Sequence, residues 1–263
     1  MRVGALAAAG GYRVERFDTI SSTNDLAMAR GRAGDAGRLW IVADAQTGGR
    51  GRLGRTWVSP PGNLFASLLL IDPAPVARAP ELGFVTGVAL SNALTRVAPS
   101  AAISLKWPND ALLDGAKLSG VLLEATTTPE GRLACVIGIG VNCVAHPDGL
   151  PYRATDLAAA GFVVARDDLF AALADEMARA LALWDAGAGF ADIRLAWLSR
   201  AAALGHRIDV AIGDRLISGV FRTIDERGRL ALSTDSGDIH IDAGDVLLPS
   251  LSPPRAGGEK GNN

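Results

Sequence analysis

Gln46-Thr47-Gly48-Gly49-Arg50-Gly51-Arg52-Leu53-Gly54-Arg55 is the stretch around which the rest of this 263-residue sequence is organised. It holds four glycines and three arginines, and it shows the apolar spacing of neither a helix nor a strand. Glycine lets a backbone come close to a ligand, and the arginine guanidinium matches carboxylate and phosphate oxygens. We therefore predict a loop that wraps a small anion, and we name residues 46–55 the arginine loop.

One alternative for this loop is the dinucleotide-binding fingerprint. Gly49–Gly54 matches G-x-G-x-x-G, and Ile41–Ala43 could be the strand that precedes it. That fingerprint requires a helix that begins at the glycines. The following segment, Thr56–Asn63, contains two prolines and a Pro-Gly turn, which prevent a helix. The sequence therefore favours a loop over a dinucleotide site.

Composition and charge narrow the classes of partner. The net charge is −2, so no global field attracts nucleic acid or an acidic membrane. The two cysteines, Cys135 and Cys143, fit a reducing cytoplasm, and no apolar stretch is long enough to span a bilayer. The few residues ahead of Ile20 leave no room for a DNA-reading module. We expect a cytoplasmic protein with no membrane partner and no specific DNA binding.

The hydrophobic pattern predicts an α+β fold with a mixed sheet packed by helices. A cap at Ser22 with Asp25 begins the first helix, and Asp114-Gly115 marks a hairpin turn. The predicted strands of this part are Tyr12–Phe17, Leu39–Ala43, Leu64–Ile71, Ile103–Trp107, Lys117–Glu124 and Leu133–Val141. The other predicted helices are Glu81–Val97 with Pro80 at its start, Asp167–Trp184 and Phe190–Ala203.

After Gly205 the pattern changes to short strands with close turns, which predicts a small barrel. The predicted strands there are Arg207–Ile212, Arg215–Ile224, Leu230–Ser233 and Ile239–Ile241. We expect residues 1–203 to form one domain and residues 204–250 a second. Residues 251–263 are polar and Gly-rich, which predicts a disordered tail.

Several motifs, in order and spacing, resemble the biotin protein ligases over residues 17–248. The arginine loop resembles that family's G-R-G-R-x-G-R signature, with Leu53 in the variable position. Lys106-Trp107-Pro108-Asn109-Asp110 resembles its K-W-P-N-D, and Lys117-Leu118-Ser119-Gly120 its K-[IL]-[AS]-G. Because these motifs occur together, the resemblance is specific. It implies a ligase core of the class II synthetase type followed by a small SH3-like barrel, and the ligase-only type of the family.

The resemblance also implies an activity, ligands and partners. Biotin's carboxylate would attack the α-phosphate of ATP, and a lysine of a biotin carboxyl carrier protein would then take biotin from the adenylate. The implied cofactors are ATP and Mg²⁺, with biotin as substrate. The family includes dimers formed by sheet-edge pairing, so either a monomer or a homodimer is compatible with the sequence.

The residues that match the family motifs receive implied roles. Lys117 is the electrostatic catalyst, supported by Arg52 and Arg50, and Asp110 is a metal-side carboxylate for Mg²⁺. The implied biotin contacts are Ser22, Thr23, Asn24, Gln46, Gly49, Arg50, Gly51, Arg52, Lys117 and Gly120. The implied ATP or adenylate contacts are Arg52, Arg55, Trp57, Lys106, Asn109, Asp110, Lys117 and Asn142.

Each of these residues also has a structural interpretation. Ser22 is explained by helix capping alone, and Lys117 or Lys106 by charge at a strand edge or end. Asn109 and Asp110 after a proline are typical of a turn, and Trp57 fits a core aromatic as well as a lid. Solvated ion pairs would explain single arginines, but they do not require the interleaved glycines.

Two other functions share part of these motifs. A lipoate–protein ligase uses the same fold and adenylation chemistry, but the arginine loop and Lys106–Asp110 favour biotin. A biotin-sensing module without catalysis would keep the biotin contacts and lose Lys117 or Asp110, and both are present. The sequence therefore favours an ATP-dependent biotin ligase.

Overall fold

A computed structural model of the chain describes residues 1–248. Its larger sheet has seven strands in the order β1-β2-β3-β7-β6-β5-β4, with β1 and β2 parallel and the other neighbours antiparallel. This confirms the predicted mixed sheet. The strands are β1 Arg13–Ile20, β2 Leu39–Gln46, β3 Leu64–Ile71, β4 Ile103–Lys106, β5 Asp110–Leu113, β6 Ala116–Thr127 and β7 Leu133–Val141.

The five α-helices of residues 1–248 lie on both sides of this sheet, and some of them pack on other helices. They are α1 Ala5–Ala9, α2 Thr23–Arg32, α3 Leu82–Val97, α4 Arg166–Trp184 and α5 Phe190–Leu198. Along β2, Trp40 and Val42 face the buried cluster that includes α3 and α4, whereas Leu39 and Ile41 face the cluster on the α2 side. Because both faces are covered, the central strands are continuously apolar and do not alternate.

The second sheet is antiparallel and has five strands in the order β11-β10-β9-β8-β12. They are β8 Arg207–Ile212, β9 Arg215–Ile224, β10 Leu230–Thr234, β11 Gly237–Ile241 and β12 Asp245–Leu247. Its buried side chains belong to the same cluster as the larger sheet's core. Trp107 Nε1 donates to the Gly228 carbonyl at 3.4 Å, and Arg194 Nη1 donates to the Ile224 carbonyl at 2.9 Å.

Two predicted helix boundaries are wrong. Helix α3 begins at Leu82, because residues 76–81 form a tighter 3₁₀ turn that contains Pro80. Helix α5 ends at Leu198 and not at Ala203. Leu105 N donates to the Arg200 carbonyl, and Ala202 N donates to the Leu105 carbonyl, both at 2.7 Å. Residues 200–202 therefore pair with the edge strand β4 and do not continue the helix.

Three short elements, α1, β5 and β12, were not predicted from the sequence. The proposed division at residues 203 and 204 stays a prediction, and the tail proposed for residues 251–263 lies outside the described residues. Within residues 1–248, no helix has the length and apolar character needed to cross a membrane.

Candidate active site

A pocket of about 590 Å³ opens between the larger sheet, the arginine loop and the strand β12 of the second sheet. All the predicted contact residues except Gly49 and Asn142 line it. Those residues are Ser22, Thr23, Asn24, Gln46, Arg50, Gly51, Arg52, Arg55, Trp57, Lys106, Asn109, Asp110, Lys117 and Gly120. The fold therefore brings together motifs that lie far apart along the chain.

One end of the pocket is a network of uncharged polar groups. Gln46 Oε1 accepts hydrogen bonds from Thr23 N at 2.8 Å and from Thr23 Oγ1 at 3.0 Å. The buried Ser67 Oγ lies 2.7 Å from Thr23 Oγ1 and 2.6 Å from Asn24 Oδ1. Such a network offers both donors and acceptors to an uncharged polar ligand group. Sequence reasoning missed Ser67, because it sits inside an otherwise apolar strand.

Ser22 does cap the helix α2, as the capping interpretation predicts. Its Oγ accepts from Asp25 N at 3.3 Å, and it also lines the pocket. The carboxylate of Asp25 instead pairs with Arg50 Nη2 at 2.5 Å. Capping and a place in the pocket are therefore compatible for Ser22.

The arginine loop folds back on itself as a short hairpin. Arg50 and Thr56 form a backbone bridge, Gly51 N donates to the Arg55 carbonyl at 2.7 Å, and residues 52–54 form a single 3₁₀ turn. No α-helix follows the glycines before β3, which rules out the dinucleotide fingerprint. Gly49 is a buried glycine of this loop, and a Cβ there would stand 2.5 Å from the Trp57 carbonyl oxygen. Close packing therefore explains why position 49 is a glycine.

Each arginine of the loop is held by a side-chain oxygen. Arg50 also pairs with Glu124 at 3.1 Å, and Arg52 Nη1 donates to Asn109 Oδ1 at 3.1 Å. Asp245 of β12 pairs with Arg52 at 3.4 Å and forms a closer ion pair with Arg55. The hydrogen bond to Asp245 raises the pKa of Arg55 above its usual value. The second sheet thus contributes a carboxylate to the cationic end of the pocket.

Lys106, Lys117 and Asp110 form a triad on the hairpin of β4, β5 and β6. Asp110 lies 2.9 Å from Lys106 Nζ and 2.7 Å from Lys117 Nζ, and it is buried. Burial alone would raise the pKa of Asp110, but the two ammoniums outweigh it and hold that pKa below the ordinary value. Asp110 is therefore an ionised anchor for both lysines.

Two lysine ammoniums compete with any cation for the carboxylate of Asp110. One carboxylate oxygen lies 2.9 Å from Lys106 Nζ and the other lies 2.7 Å from Lys117 Nζ, so a magnesium ion would share these oxygens with the lysines, and the role of Asp110 as a magnesium ligand stays a prediction. Among residues 1–248, no group of three His, Cys, Asp or Glu side chains is arranged to hold a metal. The sequence offered Asp110 as an oxygen ligand, but the hairpin register places it between two competing cations.

Trp57 packs against the sheet floor of the pocket. Cβ atoms built at Gly120 and Gly140, which are partners across β6 and β7, would stand 3.1 Å and 2.4 Å from the Trp57 ring. Lys117 Nζ lies 5.6 Å from the same ring's centroid. Trp57 is half-buried, so it forms a pocket wall and not part of the core. Its proposed movement as a lid stays a prediction.

Asn142 lies behind the pocket and not in its lining. It is buried, and its Nδ2 donates to the Thr155 carbonyl at 3.0 Å. It therefore anchors the chain segment that carries Tyr152, which does line the pocket. Sequence reasoning missed both Tyr152 and Asp245. No local motif marks either of them, because their positions depend on long-range packing.

The pocket thus has an amide-and-hydroxyl end and a cationic end. Residues 17–142 match the family model described as the biotin/lipoate A/B protein ligase family, and residues 203–248 match the one described as the biotin protein ligase C terminal domain. The chain is 39% identical to the biotin–acetyl-CoA-carboxylase ligase of Paracoccus denitrificans over 230 residues, covering 85% of this chain and 94% of that protein.

Two further relatives agree with this match. The biotin–acetyl-CoA-carboxylase ligase of Mycobacterium tuberculosis is 30% identical over 260 residues, covering 94% of this chain and 93% of that protein. The biotin protein ligase of Aquifex aeolicus, solved in complex with biotin and ATP, superposes with a TM-score of 0.76 at 28% identity, covering 89% of this chain and 97% of that one.

The chain therefore belongs to the biotin/lipoate A/B protein ligase family. The matching C-terminal domain and the named relatives place it among the biotin protein ligases of that family. The resemblance drawn from the arginine loop and from Lys106–Asp110 is confirmed, and so is the predicted α+β fold class.

Proposed function

We propose that this chain activates biotin with ATP to biotinyl-5′-AMP and then transfers biotin to a specific lysine of a biotin carboxyl carrier protein. The observation that carries the proposal is the convergence of the arginine loop and Lys117 on one pocket whose other end is an uncharged polar network. That layout matches a ligand with a polar ring at one end and a carboxylate at the other. The matched relatives are named as ligases of this kind.

In the first step a biotin carboxylate oxygen bonds to the α-phosphorus of ATP, and the bond from that phosphorus to the bridging oxygen breaks. Pyrophosphate leaves with the bond electrons, and a mixed anhydride remains. Two anions must approach each other, so cations at the meeting point lower the barrier. We assign this role to Lys117 as a mobile point charge and to Arg50 and Arg52 as planar clamps.

In the second step the neutral amine of the acceptor lysine attacks the anhydride carbonyl. A carbon–nitrogen bond forms, the bond to the phosphate oxygen breaks, AMP leaves, and the amine loses a proton. The arginine loop would keep water from the anhydride until the acceptor arrives. Its hairpin hydrogen bonds and its contacts with Asp245 support such a closed state.

The nucleotide would occupy the end of the pocket formed by Arg55, Trp57, Lys106 and Asn109. Asn109 is fixed there, because its Nδ2 donates to the Val121 carbonyl at 2.8 Å while its Oδ1 accepts from Arg52. Mg²⁺ would neutralise the nucleotide's phosphates when it is bound. Asp110 stays the predicted metal-side carboxylate, in competition with its two lysines.

The polar network favours biotin over lipoate. Biotin's ureido ring carries two N–H donors and a carbonyl acceptor, which Thr23 and Gln46 in the pocket lining can satisfy, with Ser67 behind them bonded to Thr23. A dithiolane ring has no N–H donor and no carbonyl acceptor, so it gains no hydrogen bond from these groups. We further propose a cytoplasmic protein whose residues 1–203 hold most of the pocket and whose residues 204–250 add Asp245.

Single-turnover assays with biotin and labelled ATP test this function. We expect biotinyl-AMP and pyrophosphate to form without any acceptor, and biotin to pass to a carrier domain when one is added. Lipoic acid in place of biotin should give no adenylate above background. Adenylation of lipoate in preference to biotin, or binding of biotin without pyrophosphate release, would reject the proposal.

A further inference from the structure

Tyr152 stands beside the ammonium of Lys117. The distance from Lys117 Nζ to the centroid of the Tyr152 ring is 5.5 Å, and the corresponding distance to the Trp57 ring is 5.6 Å. Both fall within the range at which a cation is attracted to the face of an aromatic ring, about 6 Å. Lys117 is therefore bounded by two aromatic rings and by the Asp110 carboxylate.

The chain holds Tyr152 in this place by backbone contacts with Lys117 itself. Lys117 N donates to the Arg153 carbonyl at 2.9 Å, and Thr155 N donates to the Lys117 carbonyl at 3.0 Å. This parallel pairing adds residues 153–155 to the side of β6. The ring and the ammonium are thus positioned by the same short stretch of paired backbone.

Behind this stretch, buried polar groups fix the loop. Asn142 Nδ2 donates to the Thr155 carbonyl, and Leu157 N donates to the Asn142 carbonyl at 3.1 Å. Asp156, which is also buried, lies 2.6 Å from His146 Nδ1. The loop that presents Tyr152 is therefore braced at its base, which explains the position of Asn142 outside the pocket.

We propose that Tyr152 is a further positioning residue of the ligase, acting through the face of its ring to hold the Lys117 ammonium at the reacting end of the pocket. The proposal rests on the proposed function, because it assigns Tyr152 to the same adenylation step. A lysine side chain has four rotatable bonds, and only 18% of that of Lys117 is exposed. The face of the Tyr152 ring limits the motion of the Lys117 ammonium and leaves its charge in place, whereas a second carboxylate would neutralise that charge.

The hydroxyl group is not the part that acts. Burial, reinforced by the Asp110 carboxylate, raises the pKa of Tyr152 above its ordinary value, so the phenol stays neutral at pH 7. A neutral ring keeps its negative face whether or not it carries a hydroxyl. Phenylalanine should therefore substitute for tyrosine, and leucine should not.

The first test compares Tyr152→Leu with Tyr152→Phe by the rate of biotinyl-AMP formation at saturating biotin and ATP. Tyr152→Leu should lower the rate roughly tenfold, the order of one partly desolvated cation–ring contact. Tyr152→Phe should restore it to within about threefold of the parent. The matched control is Tyr12→Leu, which removes the chain's other tyrosine, whose ring faces Arg38 at 5.8 Å and does not line the pocket.

The second test changes the ring's electrons and leaves its shape almost unchanged. Phenylalanine at position 152 is replaced by its 4-fluoro, 3,5-difluoro and 3,4,5-trifluoro forms, each of which weakens the negative face further. We expect the maximal rate to fall stepwise along the series, with the KM for ATP unchanged. Equal rates along the series, or a raised KM for ATP at an unchanged maximal rate, would overturn the positioning role in favour of packing or base stacking. If the parent itself makes no biotinyl-AMP, the proposed function fails and not this inference.

Discussion

Replacing Asp110 with asparagine would remove a carboxylate that faces both Lys106 and Lys117, at 2.9 Å and 2.7 Å. The change preserves the shape of the side chain. It leaves two ammoniums close together with no counter-charge between them. We expect loss of both stability and adenylation rate, because each depends on where those lysines are held.

The size of the stability loss follows from burial. Breaking a buried ion pair by removing one partner costs about 3–5 kcal/mol. The side chains of Lys106 and Lys117 keep 17% and 18% exposure, so their ammoniums can turn towards water and reduce that cost to about 2–3 kcal/mol. For a chain of this length that corresponds to a fall in Tm of roughly 5–10 °C.

The pH dependence has a defined sign. The pKa of Asp110 is lower in the folded protein than in the unfolded chain, where it is about 3.9. Its contribution to stability is therefore present above about pH 4 and is lost as the pH falls through the folded value. The difference in the free energy of unfolding between the parent and Asp110→Asn should be largest at pH 7 and should shrink below about pH 4.

Urea unfolding from pH 7 to pH 3 measures this difference, and Asp114→Asn is the matched control. Asp114 is exposed at the turn of the same hairpin and has a positive φ of 49°, which asparagine also tolerates. Adenylation should be measured across Mg²⁺ concentrations in the same variants. A stability difference that persists unchanged at pH 3 would refute the pairing argument. A higher Mg²⁺ requirement in Asp110→Asn, with the maximal rate retained, would show that Asp110 binds the metal after all.

Further variants test the roles assigned around the pocket. Lys117→Ala should slow biotinyl-AMP formation roughly a hundredfold, since one preorganised electrostatic contact contributes about 3 kcal/mol; calorimetry should show that biotin still binds, and an unchanged rate would reject the role. Arg52→Gly should speed dissociation of labelled biotinyl-AMP more than it slows synthesis, and equal retention of the intermediate would contradict the clamp. Asp245→Asn should raise proteolytic cleavage in the arginine loop about fivefold, as expected for losing two weak ion pairs, whereas Asp235→Asn, at a 90% exposed side chain, should have no effect. Biotin with ATP should slow cleavage within residues 45–61 of the parent, and equal rates would argue against loop closure.

The parts of the fold that the sequence predicts well are those with a local cause. The bounds of β3 and β7 match the predicted Leu64–Ile71 and Leu133–Val141, because both are continuous apolar runs. The arginine loop was predicted from composition alone, since no helix or strand accommodates its glycines. The end of α5 was not predicted correctly, because the pairing of residues 200–202 with β4 is a tertiary contact.

The same distinction applies to the site. Asp245 reaches Arg55 from 190 positions further along the chain, so no motif could indicate it. The Asp114-Gly115 turn indicates that β5 folds onto β6, but the contact of Asp110 with Lys117 is diagonal across a register shift, because Asp110 lies opposite Gly120 and Lys117 lies opposite Leu112. Asn142 was placed near the nucleotide by its motif alone. Its side chain instead bonds to Thr155, a choice that depends on where the Tyr152 loop packs.

Formation of biotinyl-AMP by the purified chain, with biotin and ATP and no acceptor protein, is the most direct test of the central claim. We predict one equivalent of pyrophosphate and one of tightly held biotinyl-AMP per active site, followed by release of AMP when a biotin carboxyl carrier domain is added. The carrier domain should gain biotin on a single lysine. Absence of pyrophosphate release with biotin, or its release only with lipoic acid, would contradict the function proposed for this pocket.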